Sequence, residues 1–257
     1  MRLQDKVCVI TGGAHGLGRG IARSFVDEGA RVALNDIDAS ELQKALEEFG
    51  EERCIIRSGD AALASEADAL TDAAAECWGR IDVLVNNVGV VAFHDPTVLT
   101  EEQWDRIIDI NLKSQWLWTR AALRNMLPQK SGSVIHMSSI SAFLGQEFDG
   151  RSSFLYNVTK AGALQMARSF ATRYASEGIR FNALCPGHFP TEIVRRFWST
   201  DKEWEKMYQD VAQVVPLRRP GRVEELAAGA VFLASNESSY MTGQALVIDG
   251  GILVKHP

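Results

Sequence analysis

Along the chain, short runs of aliphatic and β-branched residues alternate with longer stretches in which apolar positions recur every three or four residues. The short runs predict strands over 6–11, 31–36, 53–57, 81–86, 133–138, 179–185 and 245–249. The longer stretches predict helices over 17–29, 39–49, 63–78, 101–126, 154–177 and 223–235. Nearly continuous apolar strands separated by amphipathic helices are the pattern of a parallel sheet covered on both faces. The expected fold class is therefore α/β: a single-domain, doubly wound sheet of about seven strands with right-handed crossovers.

Two stretches break the rhythm. Residues 140–153 are rich in Phe and Gly, and residues 186–210 begin Pro-Gly and hold Phe189, Phe197, Trp198 and Trp204. Long irregular insertions in compact domains tend to be binding loops or lids. Both follow predicted strands and so belong at the carboxyl edge of the sheet, where open α/β sheets bind ligands. They are read as substrate loops. Gln146, Glu147, Phe148, Asp149 and Arg151 come from the first, and His188 and the aromatics come from the second. His94, after the fourth strand, is a further candidate for substrate contact.

The chain of 257 residues has no linker-like change of composition and reads as one domain over 1–257. A net charge of −6 argues against nucleic acid as a partner, because polyanion binding needs a basic surface. Cys8, Cys54, Cys77 and Cys185 are too far apart for a zinc or redox pair and read as buried structural thiols. The histidines and carboxylates show no metal-ligand spacing, so no metal is expected. The amino-terminal segment lacks the pattern of a signal peptide, and no run approaches the roughly 18 apolar residues of a membrane span. A cytoplasmic protein without a membrane partner is expected.

The chemistry-bearing segments are ordered along this frame. The first strand runs into Thr11-Gly12-Gly13-Ala14-His15-Gly16-Leu17-Gly18, and a helical pattern follows. Glycines there allow a tight turn and close backbone approach, so that helix N-terminal amides face a pyrophosphate. No Gly-Lys-Ser/Thr ending follows, which sets the turn apart from a P-loop. Asp36 ends the second strand. A carboxylate at that distance from the glycines accepts from adenosine ribose hydroxyls and repels a 2′-phosphate, favouring NAD over NADP; an ordinary helix-capping acid is the alternative. Tyr156 and Lys160 lie one helical turn apart, where an ammonium can favour the phenolate. A tyrosine so tuned exchanges a proton with an alcohol or ketone oxygen.

Together, Thr11–Gly18, Asn86-Asn87-Val88-Gly89, Ser139, Tyr156-x-x-x-Lys160, Pro186-Gly187 and the later Asp249-Gly250-Gly251 resemble a classical short-chain dehydrogenase/reductase over nearly the whole chain. The resemblance implies a Rossmann fold and NAD(P)-dependent interconversion of a secondary alcohol and a ketone. It makes Tyr156 the general acid/base, with Lys160 holding the nicotinamide ribose and lowering the tyrosine pKa. Ser139 would orient the substrate oxygen, and Asn111 would complete a proton relay.

The same matching implies a cofactor contact set of Gly12, Gly16, Leu17, Gly18, Asp36, Asp60, Asn87, Gly89, Tyr156, Lys160, Pro186, Gly187 and Thr191. Capping roles for Asp60 and Thr191, and a backbone-satisfying role for Asn111, are the alternatives.

Two features depart from the family pattern. Val88 stands where alanine is common. Ser139 is unusually far from Tyr156, so the intervening loop carries an insertion. That spacing leaves Ser138 or Ser141 as the alternative partner of the tyrosine. Apolar residues on several sides of the helices at 101–126 and 154–177, with the resemblance, imply a homo-oligomer, dimer or tetramer. The favoured reading is an NAD-dependent enzyme for a cyclic or apolar small molecule. An NADPH-preferring carbonyl or 3-oxoacyl reductase and a non-catalytic dinucleotide-binding regulator are the alternatives.

Overall fold

The computed structural model describes residues 1–91, 93–148, 151–191, 195 and 200–255. Asp149, Phe197 and Trp198 lie outside them, as do the side chains of Phe148 and Arg151. Seven parallel strands form one sheet: β1 (Val7–Thr11), β2 (Arg31–Asp36), β3 (Cys54–Ser58), β4 (Val83–Asn86), β5 (Gly132–Met137), β8 (Ile179–Pro186) and β9 (Ala245–Ile248). Their order is β3-β2-β1-β4-β5-β8-β9, with registers such as Val9 opposite Ala33 and Leu84. The order reverses between β1 and β4. At that switch point the connections leave to opposite sides and open a crevice at the strands' carboxyl ends.

The two-residue period of each strand divides the core into two layers. On one face Cys8 and Ile10 pack with Phe25, Leu42 and Leu226, under α1 (Gly16–Asp27), α2 (Ala39–Phe49) and α8 (Val223–Ala234). On the other, Val7 and Val9 pack with Leu70, Trp118 and Leu164, under α3 (Ala64–Trp78), α5 (Ser114–Gln129) and α6 (Phe154–Tyr174). Three of the four cysteines are buried as expected, but Cys77 on α3 is exposed. Among the described residues no helix is long and apolar enough to cross a membrane.

The single helix expected over 101–126 is three segments: α4 (Glu101–Ile108), a π-helical turn (Asp109–Lys113) and α5. The backbone bond there spans five residues, from Ser114 N–H to the Asp109 carbonyl, and side chains one turn on bond two further carbonyls. Ser114 Oγ donates to the Ile110 carbonyl at 2.5 Å and Gln115 Nε2 to the Asn111 carbonyl at 3.0 Å. Such turns commonly mark functional sites.

Both irregular stretches contain regular structure. In the first, β6 (Glu147–Phe148) pairs antiparallel with β7 (Arg151–Ser152). The second stretch enters α7 (Asp201–Val214), whose Thr200 and Glu203 form a reciprocal capping box. That Thr-x-x-Glu spacing is a helix-start signal, and the aromatic content of the stretch obscured it. The remaining differences are small shifts at element ends. For example, α1 stops at Asp27 because Gly29 adopts φ +90°.

Trp118 is fully buried and its indole N–H donates to the Ala61 carbonyl at 3.0 Å, tying α5 to the loop after β3. Trp118→Phe is expected to lower stability by about 1–3 kcal/mol, the cost of an orphaned buried carbonyl plus lost packing. Trp116→Phe, on the half-exposed side of the same helix, is expected to stay within about 0.5 kcal/mol of wild type. Urea unfolding of the two variants checks the contrast.

Candidate active site

The end of β1 is fastened across the switch point before any ligand is considered. Thr11 Oγ1 accepts from the backbone N–H groups of Asn87 and Val88 at 2.9 and 3.1 Å. Asn87 Nδ2 returns two hydrogen bonds, to the carbonyls of Thr11 and Gly12 at 3.0 and 3.1 Å. On the other side, Gly13 N–H donates to the Asn35 carbonyl and Ala14 N–H to the Asp36 carboxylate, at 3.0 and 3.1 Å. The glycine turn is thus fixed by β2 and β4 together. A Cβ on Gly18 would stand 1.9 Å from the Gly12 carbonyl oxygen, so only glycine fits there. Gly12 itself adopts φ +65°, a conformation that glycine tolerates best.

The helix that follows starts without a side-chain cap and without an acid in its first turn, whereas α2, α4 and α7 are capped by Asp38, Thr100 and Thr200. Uncapped first-turn amides at a helix N-terminus are donors for an anionic ligand. They border a cavity of about 690 Å³ lined by Gly12, Leu17, Asp36, Asp60, Asn87, Gly89, Ser139, Tyr156, Lys160, Pro186, Gly187 and Thr191. These sequence-derived candidates converge on one cleft. Gly16, Gly18 and Asn111 are not among its lining residues. Val88, the departure from the family pattern, lines it, whereas His94 does not. The backbone of His94 instead pairs with Ser152, with hydrogen bonds of 2.9 and 3.0 Å in the two directions. That ladder pins the hairpin to the segment after β4.

At one end of the cleft, Asp36 also accepts from the Asp38 N–H at 3.2 Å, while Asp38 caps α2 and meets His15 Nε2 at 3.0 Å. The capping role considered for Asp36 belongs to Asp38. Arg19 points to Glu48 at 2.5 Å and stacks over Phe49 rather than facing the carboxylates. Asp60 accepts from Ala62 N–H and pairs with Arg106 at 2.9 Å each. Burial pushes the Asp60 pKa up, but those two donors more than offset it and leave it below the ordinary value. Arg106 also lines the cavity, and nothing in the sequence pattern distinguishes it from an ordinary arginine on a solvated helix face.

At the other end stand Tyr156, Lys160 and Ser139. The Lys160 ammonium is buried, donates to the Met137 carbonyl at 2.9 Å and lies 5.4 Å from the centre of the Tyr156 ring. A Cβ on Gly89 would stand 3.1 Å from Lys160 Nζ, so a larger residue there would crowd the ammonium. Of the three serines weighed, Ser138 turns away and donates to the Lys160 carbonyl at 2.7 Å, whereas Ser139 lines the cleft together with Tyr156. Ser139 Oγ accepts from Ser141 N–H and donates to Ser141 Oγ, at 3.1 Å each. Asn111 clasps the Val90 backbone in both directions, at 2.8 and 2.9 Å, and so serves the backbone through its side chain.

The electrostatics correct one expectation. Burial pushes the Tyr156 phenol above its usual value, and the Ser139 hydroxyl only partly opposes this. Burial also pushes Lys160 down to about 8. In the protein alone, desolvation drives phenol and amine toward their neutral forms.

The comparisons with known proteins agree with this geometry. A family model described as enoyl-(acyl carrier protein) reductase matches residues 12–253. Oxidoreductase UcpA of Salmonella typhimurium is 38% identical over 254 residues, covering 97% of this chain and 95% of that protein. The 3-oxoacyl-[acyl-carrier-protein] reductase FabG of Thermotoga maritima is 35% identical, covering 99% of this chain and all (100%) of that one. The crystal structure of levodione reductase superposes with a TM-score of 0.90 at 31% identity, over 99% of this chain and 100% of that one.

The chain belongs to the short-chain dehydrogenase/reductase family, whose members are oxidoreductases using nicotinamide dinucleotides. The glycine cradle, the uncapped helix and the paired polar ends of the cleft fit such a cofactor.

The buried lysine gives a pH signature. Between about pH 8 and the 10.5 of an ordinary lysine, the unfolded chain keeps a proton that the folded chain has released. Stability from this group therefore rises with pH across that window. Relative to Lys160→Met, cofactor-free wild type is expected to gain up to about 3 kcal/mol on going from pH 7.5 to 10.5. Urea unfolding of both proteins at the two pH values reads the difference.

Proposed function

We propose that the protein is an NAD-dependent oxidoreductase that interconverts a secondary alcohol and a ketone on a cyclic or otherwise apolar small molecule. The observation that carries the reading is the meeting of Ser139, Tyr156 and Lys160 at one end of a cleft whose other end holds Asp36. Bound nicotinamide dinucleotide supplies the hydride acceptor for alcohol oxidation and the hydride donor for ketone reduction.

The residues manage the oxygen and its proton. Ser141 N–H holds Ser139 Oγ as an acceptor, so the Ser139 proton can turn from Ser141 to a substrate oxygen. Tyr156 Oη gives its proton to that oxygen in reduction and takes it in oxidation. Lys160, anchored on Met137, would in its protonated form offset the charge of the phenolate that oxidation requires. Asn111 holds Val90 and the adjoining cleft wall in place. Val90, Val91, Phe93, Ile140, Phe189 and Met207 give the cleft apolar walls, which favour an apolar substrate body. Ile140, Ser141 and Gln146 from the first substrate loop and His188, Phe189 and Met207 from the second line it.

The preference for NAD rests on Asp36 and Asp38, which crowd the adenosine end with negative charge, and on the engagement of Arg19 by Glu48. Gly12, Gly16, Leu17 and Gly18 would hold the pyrophosphate. Asp60 would lie at the adenine, Asn87 and Gly89 along the cleft floor, and Pro186, Gly187 and Thr191 at the nicotinamide. Kinship with a 3-oxoacyl reductase favours a second reading, NADPH-dependent reduction of a 3-oxoacyl thioester, which the same two carboxylates oppose. The half-exposed Trp104, Trp116 and Val158 on α4, α5 and α6 support a homo-oligomer.

NADH is expected to bind more tightly than NADPH, and Asp36→Ala to shift that preference toward NADPH by about 10–100-fold, the worth of charge-assisted hydrogen bonds. Titrations of both nucleotides decide between the readings; NADPH preference in wild type would establish the second. Tyr156→Phe is expected to lower kcat by about 100–10,000-fold while NADH affinity stays within a few-fold. Alcohol oxidation by wild type is expected to rise with pH, because the phenol is held protonated at neutrality. An active Tyr156→Phe enzyme would remove the phenol from the mechanism.

A further inference from the structure

The hairpin inserted between Ser139 and Tyr156 brings a polar side chain to the reacting end of the cleft. Gln146 lines the cavity, and its Oε1 accepts from Ser141 Oγ at 2.7 Å. Ser141 Oγ in turn accepts from Ser139 Oγ at 3.1 Å, so a single hydroxyl separates the amide from the serine that faces the substrate oxygen. The main chain around Gln146 is held firmly. Its carbonyl accepts from Ser153 N–H and Oγ at 3.1 and 3.2 Å, and Asn157 Nδ2 holds the Leu144 carbonyl at 2.8 Å. The β6–β7 hairpin that follows is bonded to His94.

With Oε1 engaged by Ser141, the Gln146 Nε2 donors have no partner among the described residues. An amide donor beside an apolar cavity is satisfied by a ligand acceptor, and a site built this way discriminates against ligands that lack one.

We propose that Gln146 is a specificity-determining residue that donates to a second oxygen, hydroxyl or carbonyl, on the carbon next to the reacting carbon. The substrate class is then a vicinal diol and its α-hydroxy ketone, with an apolar remainder facing Val91, Phe93 and Met207. This assignment rests on the alcohol–ketone reading above. Ser139 and Tyr156 hold the reacting oxygen, and the Gln146 amide holds its neighbour. Oxidation removes a hydride from the carbon between Ser139 and Tyr156 and leaves the second oxygen unchanged. A monohydroxylic analogue leaves the amide unpaired and loses the contact.

The test compares kcat/KM for cyclohexanol with that for cis- and trans-1,2-cyclohexanediol, using NAD and the full-length protein. Wild type is expected to favour one of the diols by at least about tenfold, equivalent to one well-placed hydrogen bond. Gln146→Leu removes the donor and the link to Ser141. Gln146→Glu keeps an acceptor for Ser141 but replaces the neutral donor with a carboxylate. Both variants are expected to bring the diol-to-cyclohexanol ratio to within about threefold of unity.

Because the ratio is taken within each variant, a general fall in activity cancels, and NADH titration reports whether each variant is folded. A wild-type ratio near one, or a preference that survives both substitutions, overturns the role of Gln146 and leaves the alcohol–ketone reading standing. Binding of NADH without turnover of any of the three alcohols or the corresponding ketones overturns both.

Discussion

The hydroxyl of Thr11 is the fixed point of the molecule. At the switch between β1 and β4 the sheet must part, and an open seam of backbone amides would be costly if left to water or to chance. Thr11 Oγ1 takes two of those amides, while Asn87 binds back to the carbonyls of Thr11 and Gly12. This cross-tie sets how far the glycine turn stands from the β4 loop, and hence the width of the cleft. It also aims the first turn of α1 across that cleft. Polar side chains in a buried seam thus do what apolar packing cannot, because they specify direction as well as proximity.

The second organising influence is desolvation. Lys160 and Tyr156 are brought together by the turn spacing of α6, yet burial moves the phenol up and the amine down. Proximity of opposite titrating groups is therefore insufficient to create an ion pair in a dry site. What the fold supplies is a lysine tethered to the Met137 carbonyl and a phenol set in the same cleft as Ser139. Both stand ready for charge that arrives with a ligand, which is preorganisation rather than a standing charge.

Much of this was legible from the chain. Strand and helix periods revealed the sheet because each strand feeds two apolar layers, and the glycine turn, Asp36, Ser139, Tyr156 and Lys160 could be located by motif. Periodicity was blind where side chains bond the helix backbone. The π-turn at 109–113 depends on Ser114 and Gln115 reaching back four residues, which leaves the apolar repeat undisturbed. Arg106 joins the cleft only because α4 is packed opposite the loop of Asp60, a long-range relation with no local trace. The tyrosine's pKa could not be read from spacing, since i,i+4 geometry carries no information about solvent exclusion. The role of α7 was obscured differently: its capping signal was present, but its aromatics resembled a lid loop.

The wall behind the catalytic end extends the same logic. His136 on β5 is fully buried, its Nδ1 meets Gln115 Oε1 at 2.8 Å, and burial holds its pKa down to about 3. Gln115 passes from His136 to the carbonyls of Asn111 and Met137, at 3.0 and 3.4 Å, and Met137 is the residue that holds Lys160. The buried network therefore connects the π-turn, the central strand and the lysine without placing a second positive charge behind the ammonium. His188, lining the cleft, is also held below its usual value by burial. Two imidazoles that could have titrated near neutrality are kept uncharged. The groups at this end of the cleft left to respond to a ligand's charge are the Tyr156 phenol and the Lys160 amine.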